Sequence, residues 1–410
     1  MTQNCLTNHK LVVKTEDSIL EAFRKLAQTD SEELGTLIRR RREELGISKR
    51  QMSRVLEISQ SSLDRILNGE AQTIDVIKLL KLSSFLQMNL EELVQSYVAS
   101  APQDKIREVE SVRAKSFIVS NFDLEGLRKV GFVDSITDLE VIRDRITTFF
   151  GLESVFQYRR EVARPLFSSS RNPGRDKMKE FWVRSAYHQF EERPNPNEYD
   201  REKLLDLVPQ IRQYTRFEES GLTTVAKALY EVGVTVIGQS YLPFTQVRGA
   251  TFVVDGKPCI VVTDYRKDYG TVWFALLHEL GHVLYHLDQI RSFTYHLSDD
   301  TDKMLIEDEA NYFARELLLP EEKLDYIEPL IDNPGVVERY ARKHDIHPSL
   351  IYSFHAYRNY VEEGDDSGYR KYSQYRILPE KALEPIRCNP WENETAVDDI
   401  DKALNNLAGD

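Results

Sequence analysis

A mainly α fold of the α+β kind is predicted for this 410-residue chain, and three observations predict it. Residues 34–98 carry short amphipathic stretches with tight joins, the pattern of a five-helix bundle. Residues 249–255 and 259–263 are two short β-type runs around Gly256, which imply a small sheet. The apolar run Val272-Trp273-Phe274-Ala275-Leu276-Leu277 leads into His278-Glu279-Leu280-Gly281-His282, and a second helical pattern over 306–319 stops at Pro320.

Taken from the N-terminus, residues 1–33 form a segment with one short helix expected at 19–26. The bundle follows at 34–98. Leu37, Ile38 and Leu45 are its first anchors, and the first helix stops at Gly46. Ser48 caps a second helix carrying Met52 and Val55. Ile58-Ser59 makes a brief turn, residues 60–67 form a third helix ending at Asn68-Gly69, and helices at 74–85 and 90–97 complete the unit. Residues 99–200 read as a linker (99–104) and a helical spacer, with apolar helical spacing at 139–150 and 181–190 and loops at 171–175 and 193–197. A domain at 201–375 holds a helix and strand over 222–238, the two short strands and both long helices. Residues 376–410 turn acidic, with Asp398-Asp399-Ile400-Asp401, and are expected to be a flexible tail.

Composition narrows the class. A chain of 410 residues has room for two to three domains with real cores. With 30% charged and 41% hydrophobic residues it is too polar for a membrane protein. It has no apolar run of spanning length and no signal-peptide core. Cys5, Cys259 and Cys388 are odd in number and far apart, which argues against a disulfide framework or a cysteine-based metal site and fits a reducing cytoplasm. The net charge of −13 argues against a surface that coats nucleic acid. It leaves room for one basic module, and Arg39-Arg40-Arg41-Arg42 is the densest positive run.

The HExxH pattern carries chemistry. Residues four apart lie on nearly the same helix face, so His278 and His282 can aim two imidazoles at one zinc ion. Glu279, one step round, can act as general base toward a water at that ion. A third ligand is needed. Continuation to HExxHxxGxxH is closed, because Tyr285 and Asp288 occupy the Gly and third His positions, although Asp288 stays a candidate. The other source is the downstream helix. Ala310, Asn311, Ala314, Leu317 and Leu318 fall within roughly 80° of Glu307, whereas Glu309 falls about 200° away. Glu307 is therefore the expected ligand, and Asn311 is placed to hydrogen-bond a ligating group. Four residues past His282, His286 is expected to close the helix end, with support of the metal site or of substrate as its other reading. Tyr285, Tyr295, His296 and His347 are open candidates for stabilising an oxyanion; His9, His188, His344 and His355 are expected to be structural or exposed.

These residues resemble the ImmA/IrrE family of zinc metallopeptidases, which pairs an HExxH helix with a downstream E-x-x-A-N-x-F-A helix closing in apolar residues and Pro. Here the second segment reads Glu307-Asp308-Glu309-Ala310-Asn311-Tyr312-Phe313-Ala314-Arg315-Glu316-Leu317-Leu318-Leu319-Pro320. The resemblance implies a zincin-like domain with strands before the zinc helix. Residues 45–52 and 58–69 are similar to the helix-turn-helix of Xre/Cro repressors, although Ser53 and Glu57 stand where small residues are usual. In such a domain the third helix enters the major groove, so Gln60, Ser61, Ser62 and Arg65 become base-facing candidates. Lys49, Arg50, Arg40 and Arg41 suit phosphates. Most of residues 34–360, tightly at the motifs and loosely between them, resembles long HigA-type antitoxins or regulators, in which 341–358 also has a counterpart.

The combined reading is a cytoplasmic DNA-binding regulator fused to a zinc metalloendopeptidase. Its expected partners are an operator, in its own promoter, a regulator protein as substrate, and a second copy of itself. The alternative reading is a non-catalytic antitoxin or autorepressor whose metal-bearing domain binds a toxin or senses a signal. A helical bundle used only for protein contacts is the corresponding alternative for the first domain, with Glu57 and Asp64 as its best support.

Overall fold

The computed structural model describes residues 33–71, 73–99, 103–158, 173–243, 245–292 and 300–408. The chain divides into two units, Met1–Arg113 and Ala114–Asp410. The expected helix at 19–26, Cys5 and His9 lie outside the described residues.

In the first unit, α1 (Leu34–Glu44), α2 (Lys49–Leu56), α3 (Gln60–Leu67), α4 (Val76–Leu86) and α5 (Leu90–Ala99) are the five helices expected. Their ends follow local chemistry. Ser48 Oγ accepts from Gln51 N while the Gln51 side chain accepts from Ser48 N, a reciprocal cap that starts α2. Ser59 caps α3 and Asp75 caps α4 in the simpler way. Gly46 and Gly69, with φ of +62° and +70°, stop α1 and α3 in the left-handed region. Leu34, Ile38, Met52, Leu63, Leu82 and Leu93 make the core. Two expected anchors face outward instead. Leu45 is 46% exposed because it lies past the last turn of α1, and Val55 is 65% exposed because it lies at the edge of the stripe set by Met52 and Leu56.

Helix α6 (Gln103–Asn121) runs from the first unit into the second, which continues with α7 (Leu124–Lys129), α8 (Leu139–Phe149) and α9 (Pro173–Glu192). The expected linker at 99–104 is thus cut short by α6, with residues 100–102 outside the described ones. Of the expected loop at 171–175, residues 171–172 lie outside and Pro173 already opens α9, where its missing N–H leaves no bond unmade. Next come α10 (Arg201–Tyr214), α11 (Gly221–Glu231), β1 (Thr235–Gln239), β2 (Gly249–Val254), β3 (Lys257–Val262), α12 (Tyr269–Tyr285), α13 (Leu287–Ser292) and α14 (Asp300–Leu318). The unit closes with α15 (Glu321–Ile327), α16 (Pro334–Lys343), α17 (Pro348–Glu363), α18 (Ser367–Lys371), α19 (Glu380–Leu383), β4 (Arg387–Cys388) and α20 (Ile400–Ala408).

The sheet has the order β2-β3-β1-β4, with β2 and β3 antiparallel and β1 parallel to both β3 and β4. Asp255 and Gly256, both at positive φ, form the two-residue hairpin turn between β2 and β3. Side chains alternate across the sheet. Val236, Ile260 and Val262 join α11, α12 and α14 in one apolar layer; Ile237, Phe252 and Val261 join α8 and α9 in another.

That second layer corrects two expectations. Residues 114–200 are no separate spacer, because Phe149, Phe181 and Trp182 cover a sheet face that water would otherwise wet. Nor is 376–410 an acidic flexible tail through its described residues. β4 extends the sheet beside β1, and Trp391, Ala396, Ile400 and Ala403 are buried in the same layer. Its acids serve the packing: Asp399 accepts from Asn389 N at 2.9 Å and Asp401 pairs with Arg193.

Candidate metal centre

Helix α12 is apolar nearly all round because it runs through the core, with Val272, Trp273, Leu276, Leu277 and Leu280 buried. Asp268 caps its start, accepting from Thr271 N at 2.9 Å. Gly281 lets the partner helix close in: a Cβ there would lie 3.2 Å from Ala310 Cα and from Phe313. This close approach of α12 and α14 brings the two motif halves together.

Ligand-type atoms of His278, His282 and Glu307 lie within 4.8 Å of one another, the one such group of three among the described residues. The two imidazole Nε2 atoms face each other at 3.1 Å. Glu307 Oε2 is 3.3 Å from His278 Nε2, and Glu307 Oε1 is 3.5 Å from His282 Nε2. Glu307 Oε1 is also buried without a hydrogen-bond partner. Two nitrogens that both want an electrophile, beside an unsatisfied carboxylate oxygen, fit a metal ion better than they fit one another. Burial alone would raise the Glu307 carboxyl, but the two imidazoles outweigh it and hold it down at about 2. Burial likewise works against the charged form of His278, and Glu307, Glu279 and Asn311 turn its net shift upward.

The far side of each imidazole is also held. His278 Nδ1 meets Asn311 Oδ1 at 3.1 Å, Asn311 lying one turn past Glu307 on the same stripe of α14. His282 Nδ1 meets His286 Nδ1 at 3.1 Å, and His286 Nε2 meets Glu309 Oε2 at 2.8 Å. The His286 backbone closes α12, and its buried ring contacts His282 of the cluster. Glu309 lies outside the group of three ligand-type residues, and from its place off the inward stripe it ends that chain of contacts.

Glu279 is buried, and burial raises its carboxyl above the ordinary range. Thr251, on β2, donates to Glu279 Oε2 at 2.6 Å. Gly249 leaves the space, since a Cβ there would lie 2.8 Å from Glu279 Oε1. Neither residue is visible as a site residue in the sequence, because the contact is made between a strand and a helix that lie apart in the chain. Asp288 is exposed on α13 and outside the ligand group. Of the oxyanion candidates, His347 caps α17 and faces Glu218, Tyr285 is 53% exposed against Phe313, and Tyr295 and His296 lie outside the described residues. His355 and His188 are packed and paired with Glu328 and Glu191, and His344 lies tilted against the Tyr340 ring, as structural histidines do.

The sequence matches the IrrE N-terminal-like domain over residues 231–342 and a helix-turn-helix over 38–93. The chain joins a helix-turn-helix DNA-binding domain to an IrrE N-terminal-like peptidase domain. The first match spans β1 to α16 and so contains the whole cluster. No curated protein and no solved structure matches the chain.

Within the helix-turn-helix domain, Gln60, Ser61 and Arg65 are exposed on α3, and Ser62 is half-buried with its N–H donated to Ser59. Arg50 is exposed on α2 and Arg40 on α1. Lys49 is paired with Asp64, and Arg41 reaches Glu44 at 3.0 Å and the Phe85 carbonyl at 3.3 Å. The unusual turn residues fit. Ser53 donates to the Ile58 carbonyl at 2.6 Å, and Glu57, at φ 50°, ends α2. Lys81, 2.9 Å from the Glu57 carboxylate, lowers its pKa and offsets its charge.

Proposed function

We propose that the chain is a DNA-binding regulator whose second unit is a zinc-dependent endopeptidase acting on a partner regulator protein. One observation carries the catalytic part of this reading. Glu279 is buried beside the ligand cluster, tethered by Thr251 and bound to nothing a structural metal site needs. Zinc held by His278, His282 and Glu307 would acidify a water and polarise the scissile carbonyl. Glu279 would take a proton from such a water and pass it to the leaving nitrogen, and its raised pKa suits both transfers. Asn311 and the His286–Glu309 pair fix the ring orientations of the two imidazoles.

The DNA part places Gln60, Ser61, Ser62 and Arg65 against base edges and Arg40, Arg50, Lys49 and Arg41 against phosphates, Lys49 by exchanging its partner Asp64 for the backbone. The proposed operator lies in the chain's own promoter, and two half-sites call for two copies. Glu279→Gln tests the peptidase. Zinc content and promoter binding should match the parent, while a partner regulator cut on co-expression with the parent stays whole. Full biological activity of Glu279→Gln would leave the chain a metal-stabilised binder rather than an enzyme.

A further inference from the structure

A cavity of about 330 Å³ opens beside the metal centre, a volume within the usual range for ligand pockets. The two share a wall. Phe274, one turn before His278 on α12, stacks on the His278 ring at 6.2 Å and 30° on one side and meets Phe354 at 6.0 Å on the other. Tyr357 and Tyr369 continue the aromatic lining, and four arginines point charge into it: Arg248, Arg266, Arg315 and Arg376.

The acid supply does not match. Among the described residues Asp268 is the one acid on the cavity wall, and it is spent on Thr271, Ser353 and Arg376. Arg376 is thereby neutralised. Among the described residues no ion pair forms at Arg248, Arg266 or Arg315. Arg248 lies 5.7 Å over the Tyr357 ring and Arg266 6.0 Å over the Tyr369 ring, contacts that orient a guanidinium and leave its charge uncompensated. Among the described residues, three cations thus stand without an ion pair around one apolar cavity in a chain of net charge −13. Like charges gathered there repel, and an anion relieves them. The planar guanidinium fork matches a carboxylate or a phosphate, and the anion that an unmodified peptide chain brings is a carboxylate.

Resting on the peptidase reading, we infer that this cavity is a subsite that takes an acidic side chain, Asp or Glu, of the peptide substrate. Its carboxylate meets Arg248, Arg266 and Arg315, and its stem lies against Phe274 and Phe354. The wall shared with His278 places that residue within a short reach of the bond to be cut.

The test separates binding from cleavage. Phage-displayed random decapeptides are panned on the zinc-loaded, full-length Glu279→Gln protein, and enrichment of Asp and Glu is read by sequencing. Selected acidic peptides should bind about tenfold more tightly than their Gln counterparts, the gain of one charge-assisted contact. That gain should vanish with Arg315→Gln, an exposed position whose change leaves folding intact, and again with Arg248→Gln. No enrichment of acids, enrichment indifferent to both arginine changes, or arginine-dependent binding of ATP in place of any acidic peptide would overturn the assignment. Acidic peptides that bind through the arginines and are left uncut by the parent would uphold the subsite and sink the peptidase reading instead.

Discussion

A Cβ on Gly249 would sit 2.8 Å from Glu279 Oε1, 3.0 Å from its Cγ and 3.1 Å from the Val261 carbonyl, so the side chain is the part that must give. Gly249→Ala should therefore displace the proposed base and leave the imidazoles alone. Cleavage of the partner should fall by about 10²-fold, as for a misplacement near 1 Å, with zinc content unchanged by elemental analysis. Equal loss of both would mean that Gly249 shapes the fold and not the base. On the DNA side, Arg65→Ala should weaken promoter binding by roughly 1–3 kcal/mol and blur its sequence preference, if the guanidinium pairs with a guanine. A uniform loss across all sequences, seen by gel shift at several salt concentrations, would move Arg65 to the phosphates.

Helices α12 and α14 meet through Gly281 and Ala310, and this pairing orders the acids of α14 by reach. Glu307 touches both imidazoles, Glu309 acts through His286, and Asp288 on α13 does neither. Glu307→Ala should strip most of the zinc. Glu309→Ala should weaken zinc binding about 10- to 100-fold, the usual cost of losing a partner that orients a ligand, and Asp288→Ala should leave it as in the parent. Competition with a chelating dye ranks the three; a larger effect at Asp288 than at Glu307 would unseat the ligand set.

The same pair of helices shows why part of the site could be read from the sequence. A four-residue spacing fixes His278 against His282, and one stripe fixes Glu307 against Asn311, so local periodicity suffices. Thr251 and Gly249 reach Glu279 from another element, and no spacing along the chain encodes that. The C-terminal segment did carry a signal. Ile400, Ala403, Leu404 and Leu407 have helical spacing, but the run Asp398-Asp399-Ile400-Asp401 suggests solvent exposure until Asp399 and Asp401 are seen bonded to their neighbours. Likewise Cys259-Ile260-Val261-Val262 is apolar on both faces, which already requires cover on both sides of the sheet.

At the scale of the whole molecule, metal and proton compete for the same nitrogens. In the metal-free protein His278 titrates above its ordinary 6.5, so its contribution to stability is complete below that value and is lost as pH rises through the raised one. Glu307, held at about 2, contributes throughout this range and fails only in strong acid. Zinc requires neutral imidazoles and must expel the His278 proton at lower pH. The rise in Tm on adding zinc should thus be larger at pH 8 than at pH 6, measured by calorimetry on the full-length protein. An equal or larger rise at pH 6 would rule out His278 as the titrating ligand.

Gly238 of β1 pairs with Arg387 of β4, and the layer beneath them draws on Phe149, Trp182 and Ile400. The helix-turn-helix core closes within α1 to α5. On the ribosome these two domains therefore mature at different times. The DNA reader has every contact it needs soon after α5 is made, whereas β1 waits with a bare edge until almost the last described residues emerge. A nascent chain halted anywhere in between holds a closed helix-turn-helix core and an open sheet edge, and only synthesis carried through α20 completes both domains.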